Sequence, residues 1–424
     1  MPRRILTVHT SVLFDAKKKK FVPNVSLEVD LARGAIARVY ERNGEAPPIL
    51  KAGDIDLRGK VVLPGLVDSH THIFLHAYHE RPSAEQMRDE SAVERIVRAT
   101  NHARAALLAG YTTYRDLGTE ALASADASFR DCINRGIIPG PRMFVATEAV
   151  ASTGSYEIRS ESKFNGLVTP RASEPGDGVD GVRRAVRRRV GDGADLIKFY
   201  ADYRRKVMRF PLAAGSGPGM AVQFPPSRPN PAVPLFTQEE MNAIVEEARL
   251  AEIPVAAHAG ETRAALMAAK AGVTSVEHIF EDSDDIGDQL VAEMAKRGTI
   301  WIPTLATAEQ AAPPDLYERV KVAVKDAHAA GVRIAAGGDT GVFNHGFNAR
   351  EVEILIEAGL SVEDALEACT VGGWEACGKE LSGYRFGWLE KGTRADMIAL
   401  DTDPREDRRA LRKVSFVMKD GQVW

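Results

Sequence analysis

The sequence predicts an α/β protein: a (β/α)8 TIM barrel with a small β-sandwich domain built from both chain termini. Three observations predict it. Eight short apolar runs recur between residues 65 and 340, mostly separated by amphipathic helical segments, which is the alternation that builds a parallel barrel. Several of those segments end in "AG" or "RG" just before the next apolar run, where a glycine suits a helix C-terminus. Short strands with alternating polarity appear at both ends of the chain.

Residues 1–62 read as the strands "RILTVHTSVLF", "VSLEVD", "GAIARVYE" and "DIDLRGKVVLP", separated by turn residues. From residue 63 the eight runs follow: "GLVDSHTH", "YTTYRDLG", "RMFVAT", "LIKFY", "PVAAHA", "SVEHI", "TIWIPTL" and "RIAAGGDT". Between them lie helical stretches such as "SAVERIVRATNHARAALLAG", "TQEEMNAIVEEARLAE" and "VKVAVKDAHAAG". The tail, from "FGWLEKGTRADMIALDTDP" to "VSFVMKDGQVW", returns to short strands. The expected units are therefore 1–62 plus 385–424 as a composite β-sandwich and 63–384 as the barrel. Residues 152–178 and 205–236 are rich in Gly, Pro and Ser and read as long loops at the strand-end face, where barrel active sites lie. The basic run "RRAVRRR" reads as a solvated helix face.

A chain of 424 residues with 44% hydrophobic and 27% charged residues is ordinary for a globular protein. A net charge of −4 gives no footing for a nucleic-acid polyanion. The three cysteines, Cys132, Cys369 and Cys377, have no paired spacing, which suits a reducing compartment and a cytoplasmic location. No apolar run reaches the roughly 18 residues a membrane helix needs, and the N-terminus lacks a secretory pattern. Lys17 to Lys20 read as a hairpin turn between two strands.

Polar residues gather at the ends of the eight runs. The first ends in His70 and His72, the fourth holds Lys198, the fifth and sixth end with His258 and His278, and the eighth ends with Asp339. Side chains alternate along a strand, so His70 and His72 share one face, as do Leu196, Lys198 and Tyr200. One histidine on a strand is usually a packed core residue. Four at matching positions beside a carboxylate are not. Imidazole and carboxylate together suit zinc or a similar divalent metal. Five such ligands are generous for one catalytic metal and lean for two, unless an anionic bridge completes the set. A neutral Lys198 amine can supply that bridge by taking up CO2 as a carbamate, stabilised by two cations. The alternative is a lysine paired with a nearby aspartate such as Asp202.

The motifs "PGLVDSHTH", "GADLIKFYADYR", "PVAAHA", "SVEHI", "GGDTGVFNHGFNARE" and "LEKGTRADMIALDTDP", in this order over most of the chain, resemble the amidohydrolase superfamily. The resemblance is strongest to its imidazolonepropionase-like and prolidase-like group with a carboxylated lysine. It implies that His70, His72 and Asp339 hold a more buried metal and His258 and His278 a more exposed one. Carboxylated Lys198 and a hydroxide would bridge them, and the two ions, most simply Zn2+, would serve attack on an amide carbonyl. Asp339 would also shuttle the proton to the leaving group. The superfamily includes single-metal enzymes, imidazolonepropionases among them, and the lysine on the fourth strand argues for the two-metal branch.

The expected reaction is cleavage of an N-acyl amino acid, dipeptide or similar carboxylate-bearing amide. A cyclic amide, a lactone or a decarboxylation on the same site is the second reading, and a non-catalytic barrel the third. Tyr200 and His345 are the candidates to assist the carbonyl oxygen, and Tyr203, Arg204 and Asn348 the candidates to contact substrate, with Arg204 placed to grip a carboxylate. His76 and His79 read as loop residues. Many relatives carry a "TGGHG"-like segment after the third strand. This chain has "STGSYEIRSESKF", with Tyr156 in place of such a histidine. Expected partners are small amide or dipeptide-like substrates, with no nucleic acid or membrane, and a homo-oligomer is left open.

Overall fold

The computed structural model describes residues 5–42, 50–156, 170–204, 232–281 and 287–424. Eight parallel strands run in sequence order. β1 (Leu66–Thr71) pairs with β2 (Tyr111–Asp116), which pairs with β3 (Arg142–Val145). Thr147 takes a left-handed conformation (φ 61°), and the third strand resumes at Ala149–Ala151, where Val150 meets Phe199 of β4 (Ile197–Tyr200). β5 (Val255–Glu261), β6 (Ser275–Glu281), β7 (Ile300–Ile302) and β8 (Arg333–Ile334) follow, each parallel to the one before. The chain beyond β8 returns to β1: Ser69 N–H donates to Ala336 O, Thr340 N–H to His70 O and His72 N–H to Thr340 O. The architecture is the (β/α)8 barrel with a small β-sandwich unit built from both termini.

The strands β1 to β4 are buried along their whole length, as parallel strands covered on both faces must be. The covering helices are amphipathic and capped. In Ala92–Leu108, Arg95, Ala99, Ala103, Ala106 and Leu107 face inward, and the Ser91 side chain accepts from Glu94 N. Gln238–Leu250 starts at a capping box in which Thr237 and Glu240 satisfy each other's backbone N–H, a device that stabilises a helix start by about 1 kcal/mol. Close approach near the barrel mouth requires glycine at one position: a Cβ on Gly337 would lie 2.7 Å from the His70 backbone nitrogen.

The terminal strands form one hydrogen-bonded sheet. Ile5–Asp15 lies between Val25–Asp30 and Ile55–Pro64, and Met397–Leu400 runs antiparallel to Ile55–Pro64. This sheet has its own apolar core, including Val8, Leu27, Val62, Met397 and Met418. Lys17 to Lys19 lie in the turn of the hairpin joining Ile5–Asp15 to Lys20–Pro23, and Lys20 opens the second strand opposite Asp15. The basic run lies on the helix Gly178–Gly191, where Arg183 and Arg187 pair with Glu247. Most of the two long loops, at 157–169 and 205–231, lies outside the described residues. The described ends of the second are held together by Asp202–Arg204 pairing antiparallel with Ala232–Pro234. No helix among the described residues is long and apolar enough to cross a membrane.

Candidate metal centre

The C-terminal ends of the barrel strands open into a cavity of about 330 Å3. His70, His72, Lys198, His258, His278 and Asp339 all line it. The structure therefore brings together all six residues that the sequence places in one cluster. Ligand atoms of His70, His278 and Asp339 lie within 4.8 Å of one another. Asp339 Oδ1 is 3.4 Å from Nε2 of both His70 and His72. The His258 and His278 rings are 4.6 Å apart and the His70 and His278 rings 4.8 Å.

Three of the four histidines are turned by a partner on Nδ1. His70 Nδ1–H donates to Glu277 Oε2 (2.9 Å) and His72 Nδ1–H to Gly118 O (2.9 Å), while His278 Nδ1 is hydrogen-bonded to Thr304 Oγ1 (2.8 Å). Such contacts leave the Nε2 lone pair for a ligand and fix the ring direction. Burial, reinforced by neighbouring positive charge, holds His70 and His278 well below the usual imidazole range. Both are neutral near pH 7, the form that binds metal. Burial also raises the Asp339 carboxyl above its ordinary value, with the charges of His72 and Lys198 opposing. Backbone strain sits at the same rim, with φ 61° at Asp339, 75° at His278, 67° at Ile279 and 48° at Thr304. Non-glycine residues hold such angles only where their surroundings enforce them.

Lys198 is 1% exposed. Its Nζ has no hydrogen-bond or ion-pair partner among the described residues, and burial pulls it down to about 8. Lys198 makes no ion pair with Asp202, whose carboxylate accepts from Gly260 N and Glu261 N (3.0 and 2.8 Å) and lies 3.7 Å from His258 Nε2. An amine with no hydrogen-bond or ion-pair partner among the described residues, set among imidazoles and a carboxylate, fits a site for divalent metal.

Around the cluster stand aromatic rings. Tyr156 stacks on Tyr200 at 3.9 Å, Tyr203 sits edge-on to both, and all three line the cavity. Tyr156, which occupies the place of the absent histidine, is thus a cavity residue. Two candidates need correction. His345 and Asn348 do not line the cavity, because the loop after Asp339 turns back beneath β1. His345 Nε2–H donates to Leu75 O and its ring stacks on His102 at 4.3 Å. The Asn348 amide is spent on Asp68, Tyr114 and Thr340. The Arg204 main chain ends the Asp202–Arg204 strand, but its side chain lies outside the described residues. His76 is hydrogen-bonded to Glu90 and faces Glu80 away from the cavity, and His79 is exposed.

Sequence reasoning missed Glu277 and Glu120. Glu277 is fully buried, accepts from Arg115 and Ser275, and holds His70. Strict alternation would point it away from His278. The left-handed backbone at His278 and Ile279 breaks the alternation after Glu277 and brings His278 to His70 as well. Glu120 lines the cavity four residues past the end of β2, beyond the strand ends where the sequence pattern places ligands.

Histidine, lysine and carboxylate side chains gathered at the open end of a (β/α)8 barrel define a hydrolase of the kind that acts on carbon–nitrogen bonds. The family model described as "Amidohydrolase family" matches residues 61–424, and the chain belongs to that family, whose members are generally metal-dependent. It is 28% identical over 404 residues to the ochratoxinase of Aspergillus niger, covering 87% of this chain and 76% of that one. It is 29% identical over 253 residues to the imidazolonepropionase of Paracoccus denitrificans, covering 58% of this chain and 57% of that one. Among solved structures, a Xaa-Pro dipeptidase with bound methionine in its active site superposes with TM-score 0.78 at 28% identity, over 99% of this chain and 100% of the other. These relatives support hydrolysis of amide bonds.

Proposed function

We propose that the protein is a dinuclear metal-dependent amidohydrolase that cleaves an N-acyl amino acid, dipeptide or similar carboxylate-bearing amide. The observation that carries this reading is the buried Lys198 amine with no hydrogen-bond or ion-pair partner among the described residues, facing the cavity among four histidines and Asp339. His70, His72 and Asp339 would hold one divalent ion and His258 and His278 the other, with Lys198 as the shared carbamate ligand. Zn2+ suits this donor set best. When bound, such ions supply Lewis acidity to a carbonyl oxygen and lower the pKa of water. In this reading the barrel, residues 63–384, carries the chemistry, and 1–62 with 385–424 supports it.

The chain's own residues do the rest. Asp339, set between the His70 and His72 rings, takes the proton of the attacking water and passes it to the departing amine. Tyr200 offers its O–H toward the carbonyl oxygen, and Tyr203 with the Tyr156 ring packs the substrate. His345 and Asn348 act at one remove, through the loop they brace against β1. The dipeptidase and ochratoxinase relatives support an open-chain amide; the imidazolonepropionase relative supports a cyclic amide as the second reading.

The test is a screen of dipeptides and N-acyl amino acids with zinc-loaded protein, following free amine release. The expected result is hydrolysis that falls about 1,000-fold in Asp339→Asn. A protein that binds metal and hydrolyses no open-chain amide, yet opens a cyclic one, contradicts the first reading.

A further inference from the structure

The metal-centre reading leaves one buried carboxylate beside its ligands without a task. Asp68 lies on β1 two residues before His70, is 2% exposed and does not line the cavity. Both of its oxygens are taken. Oδ1 accepts from the main-chain N–H groups of His70 (3.1 Å) and Gly338 (3.3 Å). Oδ2 accepts from Thr340 Oγ1 (2.7 Å) and Asn348 Nδ2 (2.6 Å). One carboxylate thus ties a histidine of β1 to the residues on either side of Asp339.

The Asp339 segment needs such a tie. β8 ends at Ile334, five residues earlier, and Asp339 holds a left-handed backbone (φ 61°) that only its surroundings can enforce. After Asp339, Thr340 exchanges main-chain bonds with His70 and His72. Before it, the Gly338 N–H goes to Asp68 instead. The spacing so fixed is that of the cluster itself, with Asp339 Oδ1 3.4 Å from Nε2 of both His70 and His72. A metal-binding constellation works only when its ligands are held to about 0.5 Å.

The chemistry of the tie is specific. Four donors converge on Asp68, and an ionised carboxylate offers about four lone-pair sites and no donor. An amide in its place would turn an NH2 group toward the Asn348 NH2 group. Asn348 cannot flip to relieve this without losing the Gly346 N–H that its Oδ1 accepts (2.9 Å).

We propose that Asp68 is a positioning residue of the metal centre, which sets Asp339 against His70 and His72 by fastening Gly338, Thr340 and Asn348 to β1. This rests on the dinuclear reading and deepens it. Asp68 is not a ligand and moves no proton.

The test reads metal affinity. Zinc binding to each equivalent is measured by chelator competition in wild type, Asp68→Asn, Asn348→Asp and the double variant, with urea unfolding of the metal-free proteins alongside. Asp68→Asn should weaken one equivalent about 10- to 100-fold and leave the other within about threefold. Asn348→Asp sets two carboxylates face to face and should lose a similar amount. In the double variant the new amide donates to the new carboxylate, which also accepts from the Tyr114 and Thr340 hydroxyls, so affinity should return to within about threefold of wild type. If Asp68→Asn does not fold, Thr340→Val removes a single donor and should weaken the same equivalent about three- to tenfold. Unchanged zinc affinity in the folded single variants overturns the proposal, whatever the urea midpoint. Equal weakening of both equivalents overturns it too, as does a double variant no better than Asp68→Asn. A wild type that binds one zinc, weakened by Asp68→Asn and restored by the double variant, overturns the two-metal reading and supports the role of Asp68. A wild type that binds none overturns both.

Discussion

Arg115 and Lys198 are both buried cations inside the same barrel, and the fold treats them in opposite ways. Arg115 makes four hydrogen bonds. It donates to the carbonyls of Ser69 and Ala376, to Ser275 Oγ and to Glu277 Oε1. Lys198, two strands on, has no such partner among the described residues, and burial, helped by the charge of Arg115 and opposed by Glu277 and Asp339, pushes it toward neutrality. A structural charge in a low-dielectric interior is matched group for group. A charge that is not matched marks a place kept for something else. Arg115 and Lys198 meet the same neighbourhood through Glu277, which salt-bridges the first and orients His70 beside the second.

The comparison breaks most sharply at Lys198. Lys198→Ala should lower kcat/KM by about 1,000-fold or more and reduce bound metal from two equivalents, with partial recovery on adding acetate or propionate. Full activity in this variant would place Lys198 with the packing residues. Stability gives the second contrast. In metal-free protein, Arg115→Met should cost about 3–5 kcal/mol, because Glu277 is left buried and unpaired, whereas Lys198→Met should be neutral or stabilising by about 1 kcal/mol. Urea unfolding of the two variants checks this, and equal losses would erase the distinction. A milder change sharpens it. Glu277→Gln keeps the shape but weakens the hold on His70, and should reduce metal affinity about 10- to 100-fold, read by chelator competition.

The smallest effect lies behind the site. Glu351 is buried, accepts from Ala306 N at 2.7 Å, and is raised by burial to about 8. Its folded value stands above its unfolded one, so the folded state holds the proton more tightly. Its contribution to stability is full below about pH 4.5 and is lost as pH rises toward about 8. Glu351→Gln should therefore be more stable than wild type by about 1–2 kcal/mol at pH 8 and not at pH 4.5. A difference independent of pH would mean the carboxyl is ionised throughout.

Much of this was open to reading in the sequence, for reasons that can be named. The barrel strands are apolar runs set at regular intervals, and a ligand at a strand end is carried to one face by the parallel topology. His70, His72, Lys198, His258, His278 and Asp339 all follow that rule. Residues that depend on local backbone conformation did not. Glu277 shares one face with Ser275, and His278 joins it beside His70 where His278 and Ile279 take left-handed angles. His345 and Asn348 follow Asp339 closely in the chain, but the loop carries them under β1, a direction that no periodicity encodes. Glu120 was passed over because it lies four residues beyond the end of its strand, and only the folded cavity sets it beside His72.

The central claim is that the unmatched Lys198 amine exists to become an anion shared by two metals. The most direct measurement is carbon-13 NMR of the zinc-loaded protein reconstituted in 13C-bicarbonate, with metal content determined on the same sample. The account predicts one protein-bound carbamate carbon and two metals per chain in wild type, with the carbamate signal absent from Lys198→Ala. A fully active, metal-loaded wild-type protein without that signal would contradict it.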